Sequence, residues 1–389
     1  MAGTIKPRDA KELRQAVEWA LNESQTLDVR GQGSKLALGK PMMCDQVLDL
    51  SSISGIVDYA PEELVVTLRA GTPMREVEAL LAQRNQMLAF EPPDLGPLLD
   101  QEAGQGTLVG AVMGNLAGPR RVSAGAARDH LLGFSGVNGR GEAFKSGGKV
   151  MKNVTGYDLS KLLAGSWGTL AVLDEVSVKV LPAPDQTRTL LLLGLPDEAA
   201  VKAMCAAMGS PHDVSGAAHV DGRTALRLEG VAPSVEARLK GLRHLLADAG
   251  ATMEELGTLE SRTFWRDVRD VAPLAGTQDA IIWKISCPPT KGPGIVAGIK
   301  AQRPSAKAFY DWSGGLIWLA LPASADADHS IVRGALGSMG GHATLIRAAA
   351  NVRAGVSVFH PQPTALAALA SRVKESFDPK GLFNPGRMG

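Results

Sequence analysis

Glycine-rich turns restrict the backbone most severely in residues 147–170, which read GGKVMKNVTGYDLSKLLAGSWGTL. The opening Gly-Gly pair can take positive φ angles, which other residues rarely adopt. Asp158 is a candidate N-cap for a short helix that ends before Gly165. Gly165 and Gly168 then leave backbone N–H groups uncovered beside a following strand, residues 169–180. The pattern predicts a place where a bulky ligand lies against the main chain, although an ordinary turn between helix and strand fits the same residues.

Length and composition favour two domains. A chain of 389 residues with 45% hydrophobic content exceeds what a single core usually holds. The stretch Leu-Pro-Ala-Pro at residues 181–184 marks the expected boundary. We therefore expect one domain over residues 1–184, a second over 185–350 and a C-terminal segment over 351–389. The 41 basic and 40 acidic residues nearly cancel, which argues against a nucleic-acid surface.

The sequence offers no signal for secretion, membrane insertion or a metal cluster. Residues 1–9 lack the apolar stretch of a signal peptide. The longest apolar run, residues 190–195, is too short to span a bilayer, so we expect a cytoplasmic protein. The cysteines Cys44, Cys205 and Cys287 are widely separated and form no C-x-x-C motif. This spacing predicts small core residues rather than ligands of zinc or of an iron–sulfur cluster.

Hydrophobic periodicity predicts alternating helices and strands. Asp9 should begin an amphipathic helix, and Pro73 should be the first residue of another, whose buried side chains are Val77, Leu80 and Leu81. The strands predicted in the first domain are residues 27–30, 47–50, 55–59 and 64–68. The second domain should contain strands at residues 190–193, 281–285 and 316–321 and a helix at 235–249. A last helix, residues 364–377, should place on one face Leu366, Leu369, Val373 and Phe377.

A second glycine-rich loop, residues 30–35, follows the first predicted strand of the chain and reads RGQGSK. Its backbone N–H groups can converge on a pyrophosphate, and the Ser34 hydroxyl adds a donor. The third glycine of a dinucleotide-binding fingerprint is missing, because Gly33 is followed by Ser-Lys-Leu. The loop therefore disfavours NAD as the ligand, and an ordinary strand-to-loop turn stays open as an alternative.

Four segments taken in order strengthen the case for a flavin. They are the loop at residues 30–34, Glu-Pro-Pro-Asp at 91–94, TLVGAVMGNLAGPRR at 107–121 and the stretch at 147–170. Together with the ending FDPKGLFNPGRM, they resemble the FAD-linked oxidase family, which is built like vanillyl-alcohol oxidase. Within that family the chain resembles, over essentially its whole length, the E-subunit family of bacterial glycolate oxidases. Gly-Gly-His-Ala-Thr at residues 340–344 and the run 110–121, which ends in Ala-Gly-Pro-Arg-Arg, sharpen that choice.

The resemblance implies an α+β fold with three parts. The first is a PCMH-type two-subdomain FAD-binding fold, and the second is an α+β cap domain for substrate or subunit contacts. The third is a C-terminal segment that returns to the FAD domain. The same resemblance implies FAD as the cofactor, held non-covalently. Some relatives bond a histidine to the flavin where this chain has Ser34, which cannot form that bond.

The family's cofactor contacts carry over position by position. Those near the FAD diphosphate are Arg30, Gly31, Gln32, Gly33, Ser34 and Lys35, and those forming a wall beside the cofactor are Pro92 and Pro93. Those at the flavin ring or ribityl chain are Thr107, Gly110, Asn115 and Gly118. Those around the adenosine end are Gly165, Thr169 and Leu170, and Asn384 approaches from the carboxyl terminus. One departure is Val109, which replaces the first glycine of the family's usual Gly-Gly.

The catalytic residues are less defined. Hydroxyacid-oxidising relatives carry a His-rich motif, with Gly-Asp-Gly-Asn before a second histidine, that supplies a metal site and a base. This chain lacks that motif, so we expect no metal. His342 lies at a comparable place, and with Arg347 and Arg353 it forms the candidate catalytic set, although a structural role for this lone histidine fits as well.

The implied activity is that of an FAD-dependent oxidoreductase acting on the CH–OH group of 2-hydroxy acids, oxidising glycolate to glyoxylate as part of a complex. The implied partners are a second FAD-binding subunit and an iron–sulfur subunit, through which the chain could associate with the inner membrane without spanning it. Two alternatives stay open. One is a free-standing oxidoreductase for another 2-hydroxy acid, and the other is a non-catalytic subunit that serves assembly.

Overall fold

The computed structural model describes residues 3–148, 157–277 and 279–388. The chain divides into two compact units. Unit 1 comprises Met1–Ala117, Gly125–Ala183 and Pro361–Gly389, and unit 2 comprises Gly118–Ala124 and Pro184–His360. These bounds differ from the expected domains at two places. The short stretch Gly118–Ala124 belongs to unit 2, and unit 2 continues to His360 rather than ending at residue 350.

The helices and strands up to residue 183 alternate along the chain. In order they are β1 Gly3–Ile5, α1 Ala10–Asn22, β2 Leu27–Arg30, β3 Gln46–Asp49, β4 Ile56–Ala60, β5 Val65–Arg69, α2 Met74–Ala82, β6 Gln86–Met87, α3 Leu108–Met113, α4 Arg121–Ala124, α5 Ala127–His130, β7 Leu131–Asn138, β8 Ala143–Gly147, α6 Leu159–Leu163, β9 Ala171–Lys179 and β10 Leu181–Pro182. All of them except α4 belong to unit 1.

Unit 1 contains a parallel sheet and an antiparallel sheet. The parallel sheet has the order β1-β3-β2, and the antiparallel sheet has the order β4-β5-β9-β7-β8. One hydrophobic core joins α1 to both sheets, with Leu13, Leu48 and Val176 fully buried in it. Phe383, near the end of the chain, is also fully buried in this core. The C-terminal segment therefore returns to unit 1, as the sequence predicted.

Local signals in unit 1 mostly match the structure. Asp9 caps α1, since its side chain accepts a hydrogen bond from the Glu12 N–H at 2.8 Å. Asp158 caps α6 in the same way by accepting from the Lys161 N–H. The prediction for α2 was wrong by one residue, because Pro73 is its N-cap and Met74 its first helical residue.

Unit 2 and the last helix contain the remaining elements. In order they are β11 Gln186–Leu193, α7 Asp197–Met208, β12 Gly216–Val220, β13 Arg223–Gly230, α8 Ala232–Leu245, β14 Thr252–Leu256, α9 Thr258–Arg269, α10 Ala272–Ala275, β15 Ile281–Ser286, α11 Gly292–Gln302, β16 Lys307–Asp311, β17 Leu316–Leu321, α12 His329–Leu336, β18 His342–Arg347, α13 Ala350–Gly355 and α14 Thr364–Phe377. Of these, α14 belongs to unit 1.

Unit 2 is built on one antiparallel sheet of eight strands, in the order β14-β11-β13-β12-β16-β17-β15-β18. One face packs against α7, α8, α11 and α12 to form a second hydrophobic core. Because side chains alternate along a strand, the residues between the core positions lie on the opposite face. On β15 the core residues are Ile281, Trp283 and Ile285, so Lys284 lies on the opposite face.

The predicted apolar face of α14 is only partly covered, and the predicted burial of Leu80 needs correction. In α14, whose predicted bounds are confirmed, Leu366 and Leu369 are about half exposed, whereas Val373 and Phe377 pack against the core. Helical spacing gave the correct face, but only the second half of that face is covered. Leu80 of α2 is likewise only partly buried.

The three cysteines differ in where they are buried. Cys205 and Cys287 are partly buried against the core of unit 2, while Cys44 is partly buried outside both cores. Among the residues that the structure describes, no helix is both long and apolar enough to cross a membrane.

Candidate functional site

The loop after β2 forms one wall of a cleft in unit 1. Gly33 has a φ of +76°, in the left-handed region that favours glycine. Gly31 lies against Thr107, and a Cβ atom at position 31 would lie 3.0 Å from the Thr107 Oγ1 atom. The two glycines therefore allow the loop to curl tightly and to lie close to the start of α3.

The start of α3 faces this loop. Thr107 is the N-cap of α3, and its hydroxyl oxygen accepts a hydrogen bond from the Gly110 N–H at 3.0 Å. A Cβ atom at position 110 would lie 2.9 Å from that oxygen and 3.6 Å from the Lys35 Nζ atom. Glycine at position 110 thus keeps the space between the helix and the lysine open.

The cleft between these elements encloses about 720 Å³, a volume that includes the open solvent at its mouth. Its polar side consists of the loop, and its apolar side carries Leu50, Ala70, Met113 and Leu173. The predicted site residues that line it are Arg30, Gly31, Gln32, Gly33, Ser34, Lys35, Thr107, Gly110 and Asn384.

The polar side of the cleft is positively charged. Burial lowers the pKa of Lys35 to about 8; Asp94 opposes this effect, and the nearby charge of Arg387 adds to it. The Lys35 ammonium donates to the Ser34 hydroxyl at 3.3 Å. Arg387, which also lines the cleft, donates to the Lys35 carbonyl at 2.8 Å. Both cations become less costly to bury when an anion binds beside them, as a diphosphate would.

Asn384 closes one corner of the cleft by joining three backbone segments. Its side-chain oxygen accepts from the Val29 N–H at 2.8 Å, and its amide nitrogen donates to the Trp167 carbonyl at 2.9 Å. A Cβ atom at Gly168 would lie 2.8 Å from that nitrogen. Because both ends of the amide already bind main chain, Asn384 braces the wall of the cleft.

Seven predicted cofactor residues do not line the cleft: Pro92, Pro93, Asn115, Gly118, Gly165, Thr169 and Leu170. Three of them have clear structural contacts. The Asn115 side chain accepts from the Arg128 N–H, the Thr169 hydroxyl donates to the Ser166 carbonyl, and the Gly118 carbonyl, in unit 2, accepts from the Trp312 indole. Part of the stretch 147–170, residues 149–156, lies outside the described residues.

Sequence reasoning missed several residues that line the cleft. Arg387 lies within the quoted C-terminal signature and offered a signal, because a basic residue beside a glycine loop suits a phosphate. Trp167 lies between two glycines that were singled out. The apolar lining at Leu50 and Ala70 carried no sequence signal that separates it from ordinary core.

The candidate catalytic set in unit 2 does not come together. His342 and Arg347 occupy the first and last positions of β18, about 17 Å apart for an extended strand. Arg347 donates to the Ala280 carbonyl at 3.0 Å, and Arg353 donates to the Ala348 carbonyl at 3.2 Å. Both arginines are at least nine-tenths buried, so they hold the backbone of unit 2 and do not complete a site at His342.

His342 instead neighbours a group of cations that the sequence did not reveal. His342 is exposed at the start of β18, yet partial desolvation lowers its pKa, and the charges of Lys284, His360 and Arg121 lower that pKa further. Burial also lowers the pKa of Lys284 to about 8, with Arg121 adding to the effect and Asp311 opposing it. Among the described residues, no group of three or more His, Cys, Asp or Glu side chains could hold a metal ion.

Comparison with known proteins identifies the family. Residues 1–147 match the model of an FAD binding domain. The chain is 36% identical over 376 residues to glycolate oxidase subunit GlcE of Escherichia coli strain K12, covering 97% of this chain and 96% of that protein. The chain belongs to the GlcE family. It is therefore an FAD-linked oxidoreductase and a flavoprotein, and the prediction of FAD as its cofactor is confirmed.

Other relatives share only part of the GlcE-family chain. Glycolate oxidase subunit GlcD of Bacillus subtilis strain 168 is 30% identical over 190 residues, which are 49% of this chain and 39% of GlcD. D-lactate dehydrogenase of Anaerostipes hadrus is 31% identical over 160 residues, covering 41% of this chain and 31% of that enzyme.

Solved structures confirm the predicted fold class. 4-Ethylphenol oxidase from Gulosibacter chungangensis superposes with a TM-score of 0.75 at 14% identity, covering 100% of this chain and 89% of that enzyme. p-Cresol methylhydroxylase superposes with a TM-score of 0.71 at 12% identity, covering 99% of this chain and 88% of that enzyme. The GlcE-family chain therefore has the α+β, PCMH-type FAD-binding fold.

Proposed function

We propose that this chain binds FAD non-covalently in the cleft of unit 1 and acts as the FAD-binding subunit of a complex that oxidises glycolate to glyoxylate. The observation that carries the proposal is the cleft itself. A glycine loop with two cations, the partly buried Lys35 and the buried Arg387, faces an apolar wall across the cleft. That combination suits a molecule with an anionic diphosphate and a large apolar ring.

Each side of the cleft has its own role in holding the cofactor. The N–H groups of residues 31–34 and the charges of Lys35 and Arg387 would hold the diphosphate. Leu50, Ala70 and Leu173 would cover apolar surface of the ring system. FAD, when bound, supplies the hydride chemistry, while the protein fixes its position and the charge around it. Ser34 offers a hydroxyl donor and no covalent link.

Roles for the predicted residues outside the lining are indirect. Asn115, Gly165 and Thr169 lie in the turns that shape the region between α3 and β9. Through them, the turn that carries Trp167 and Gly168 keeps its place in the cleft wall. Pro92 and Pro93 would stiffen the segment before Asp94, whose charge acts on Lys35.

The electrons must leave the flavin after each turnover. We assign the role of electron acceptor to an iron–sulfur subunit, in a complex that also contains a second FAD-binding subunit. The names of the relatives support the part of this assignment that concerns a multi-subunit complex, because both GlcE and GlcD are named as subunits of glycolate oxidase. The three cysteines of this chain lie far apart in sequence and are separate free thiols, so the iron–sulfur role falls to the partner.

The activity should depend on that complex. Anaerobic mixing with glycolate should bleach the flavin of the isolated chain slowly and that of the co-expressed three-subunit complex rapidly. Co-purification from the native host, followed by flavin and iron analysis, should yield the same set of subunits. Rapid, stoichiometric bleaching of the isolated chain would instead identify a free-standing oxidoreductase. Flavin in the complex that glycolate never reduces would identify an assembly subunit.

A further inference from the structure

Unit 2 contains a half-buried lysine on the face of its sheet that the main helices leave uncovered. Lys284 lies on β15, directly opposite Trp318 on β17 and Thr344 on β18. Directly paired residues of antiparallel strands share a face, so these three side chains are neighbours. In the part of the chain that the structure describes, Lys284 forms no ion pair or hydrogen bond with a carboxylate. A positive charge in this position lacks a direct counter-charge from the protein.

Two cations approach one indole ring beside Lys284. The Lys284 Nζ atom lies 5.4 Å from the centroid of Trp312 and 5.8 Å from that of Trp318. The Arg121 guanidinium lies 4.6 Å from the centroid of Trp312. The carboxylate whose charge acts on Lys284 is that of Asp311. The aromatic faces offset part of the repulsion between Lys284 and Arg121, and an anion bound beside Lys284 would offset more of it.

The arrangement is held in place at a cost in backbone strain. Trp312, Ser313 and Gly314 follow one another with φ angles of 51°, 62° and 96°. The Asp311 carboxylate fixes this turn by accepting from the Trp312 N–H at 2.7 Å. Positive φ angles are unfavourable for tryptophan and serine, and such strain is concentrated at binding sites. The turn places the Trp312 ring within reach of both cations.

Arg121 is placed by the residue before it. Arg120 forms a two-pronged pair with Glu229 of β13, at 2.6 Å and 3.1 Å, and both side chains are about nine-tenths buried. The indole N–H of Trp312 donates to the Gly118 carbonyl at 3.0 Å. These contacts attach the stretch Gly118–Ala124 to the sheet of unit 2. They explain why this short stretch belongs to unit 2 and why Arg121 comes to lie over Trp312.

We propose that Lys284, Arg121 and His342, walled by Trp312 and Trp318, form a binding site for the carboxylate of a small 2-hydroxy or 2-oxo acid. The choice of acid rests on the proposed function, whereas the site itself rests on the geometry of unit 2. Lysine and arginine supply charged donors, which form the stronger class of hydrogen bonds to carboxylates. The two indoles supply apolar faces beside Lys284, and His342 lies two residues from Thr344 on the same face of β18.

Oxalate is a suitable probe because it has the carboxylates of such an acid but no C–H bond from which a hydride could leave. Titration calorimetry on the full chain should give one oxalate per chain. Lys284→Met should weaken binding at least tenfold, and Lys284→Arg should restore it to within a few-fold. Lys300→Met, which removes an exposed lysine from α11 of the same unit, should leave binding unchanged. Unaltered oxalate binding by Lys284→Met would overturn the proposal.

Two further measurements separate this site from a structural role and from the flavin site. Lys284→Met should raise the melting temperature, because it removes a partly buried charge that forms no ion pair in the described structure. Should that variant not fold, Arg121→Met provides the same test of oxalate binding.

Equal displacement of oxalate by inorganic phosphate would contradict a carboxylate site. FAD content, read from the 450 nm absorbance of each variant, should not change. A wild-type chain without FAD would refute the proposed function while still permitting the oxalate titration.

Discussion

The side-chain oxygen of Asn384 accepts a hydrogen bond from the backbone N–H of Val29 at 2.8 Å, although 355 residues separate the two in sequence. The Leu27 N–H donates to the Leu382 carbonyl at 2.8 Å, and the Asn384 N–H returns a bond to the Leu27 carbonyl at 2.9 Å. The end of the chain thus extends the parallel pairing of β2. This contact couples the C-terminal segment to the loop that follows β2 and so to the cleft.

Asn384→Ala should destabilise unit 1 and weaken FAD binding. The substitution leaves the Val29 N–H and the Trp167 carbonyl without their partner, which costs about 1–3 kcal/mol. Thermal melts with and without FAD measure both effects, because a ligand that binds only the folded state raises the midpoint. Asn22→Ala, at an exposed position at the end of α1, is the control. If FAD raised the melting temperature of wild type and Asn384→Ala equally, Asn384 would stabilise the fold without contributing to FAD binding.

Gly33→Val should empty the cleft. Valine at a φ of +76° costs about 1–2 kcal/mol in backbone strain, and its side chain occupies space beside the diphosphate donors. Gly104 is a matched control, since its φ is +77° and it does not line the cleft. Both variants should lose similar stability, whereas only Gly33→Val should bind FAD at least tenfold more weakly. Similar FAD affinities in the two variants would contradict the assignment of the loop at residues 30–35 to the FAD diphosphate.

FAD affinity should fall as pH rises above about 8. Burial lowers the pKa of Lys35 to about 8, against the pull of Asp94 and with the help of Arg387. Below that pH the free protein already carries the charge that the diphosphate needs, so the dissociation constant should be flat. Above it, binding must take up a proton, and the constant should rise by up to about tenfold per pH unit.

Lys35→Met should remove this pH dependence and weaken FAD binding at pH 7, while Lys11→Met, at an exposed position of α1, should do neither. Fluorescence titration with FAD between pH 6 and pH 10 supplies the data. The same slope in wild type and Lys35→Met would assign the effect to another group.

How much the sequence predicted depends on whether a feature is local. The caps at Asp9 and Asp158 and the bounds of α14 were predictable, because a side chain and its neighbours within one turn determine them. The loop at residues 30–35 was predictable from its glycines. The contacts of Asn384 were not, because they join segments hundreds of residues apart. The cluster around Trp312 was missed for the same reason, because Arg121, Lys284 and Trp312 lie far apart in the sequence.

The buried end of the chain should contribute more to stability than the apolar helix before it. Phe383 is fully buried, so Phe383→Ala should cost about 3–5 kcal/mol. Leu366 is 53% exposed, so Leu366→Ala should change the free energy of unfolding by less than about 0.5 kcal/mol. Urea denaturation of both variants measures the difference. Comparable losses would show that the first half of α14 is covered in solution.

The flavin of the purified chain tests the central claim most directly. The chain should be yellow, with close to one FAD per polypeptide, and acid or heat precipitation should release all of that FAD into the supernatant. This follows from a cleft whose loop offers the Ser34 hydroxyl and two cations but no covalent link. Flavin that stays with the precipitated protein, or a folded chain that takes up no FAD when incubated with it, would contradict the account.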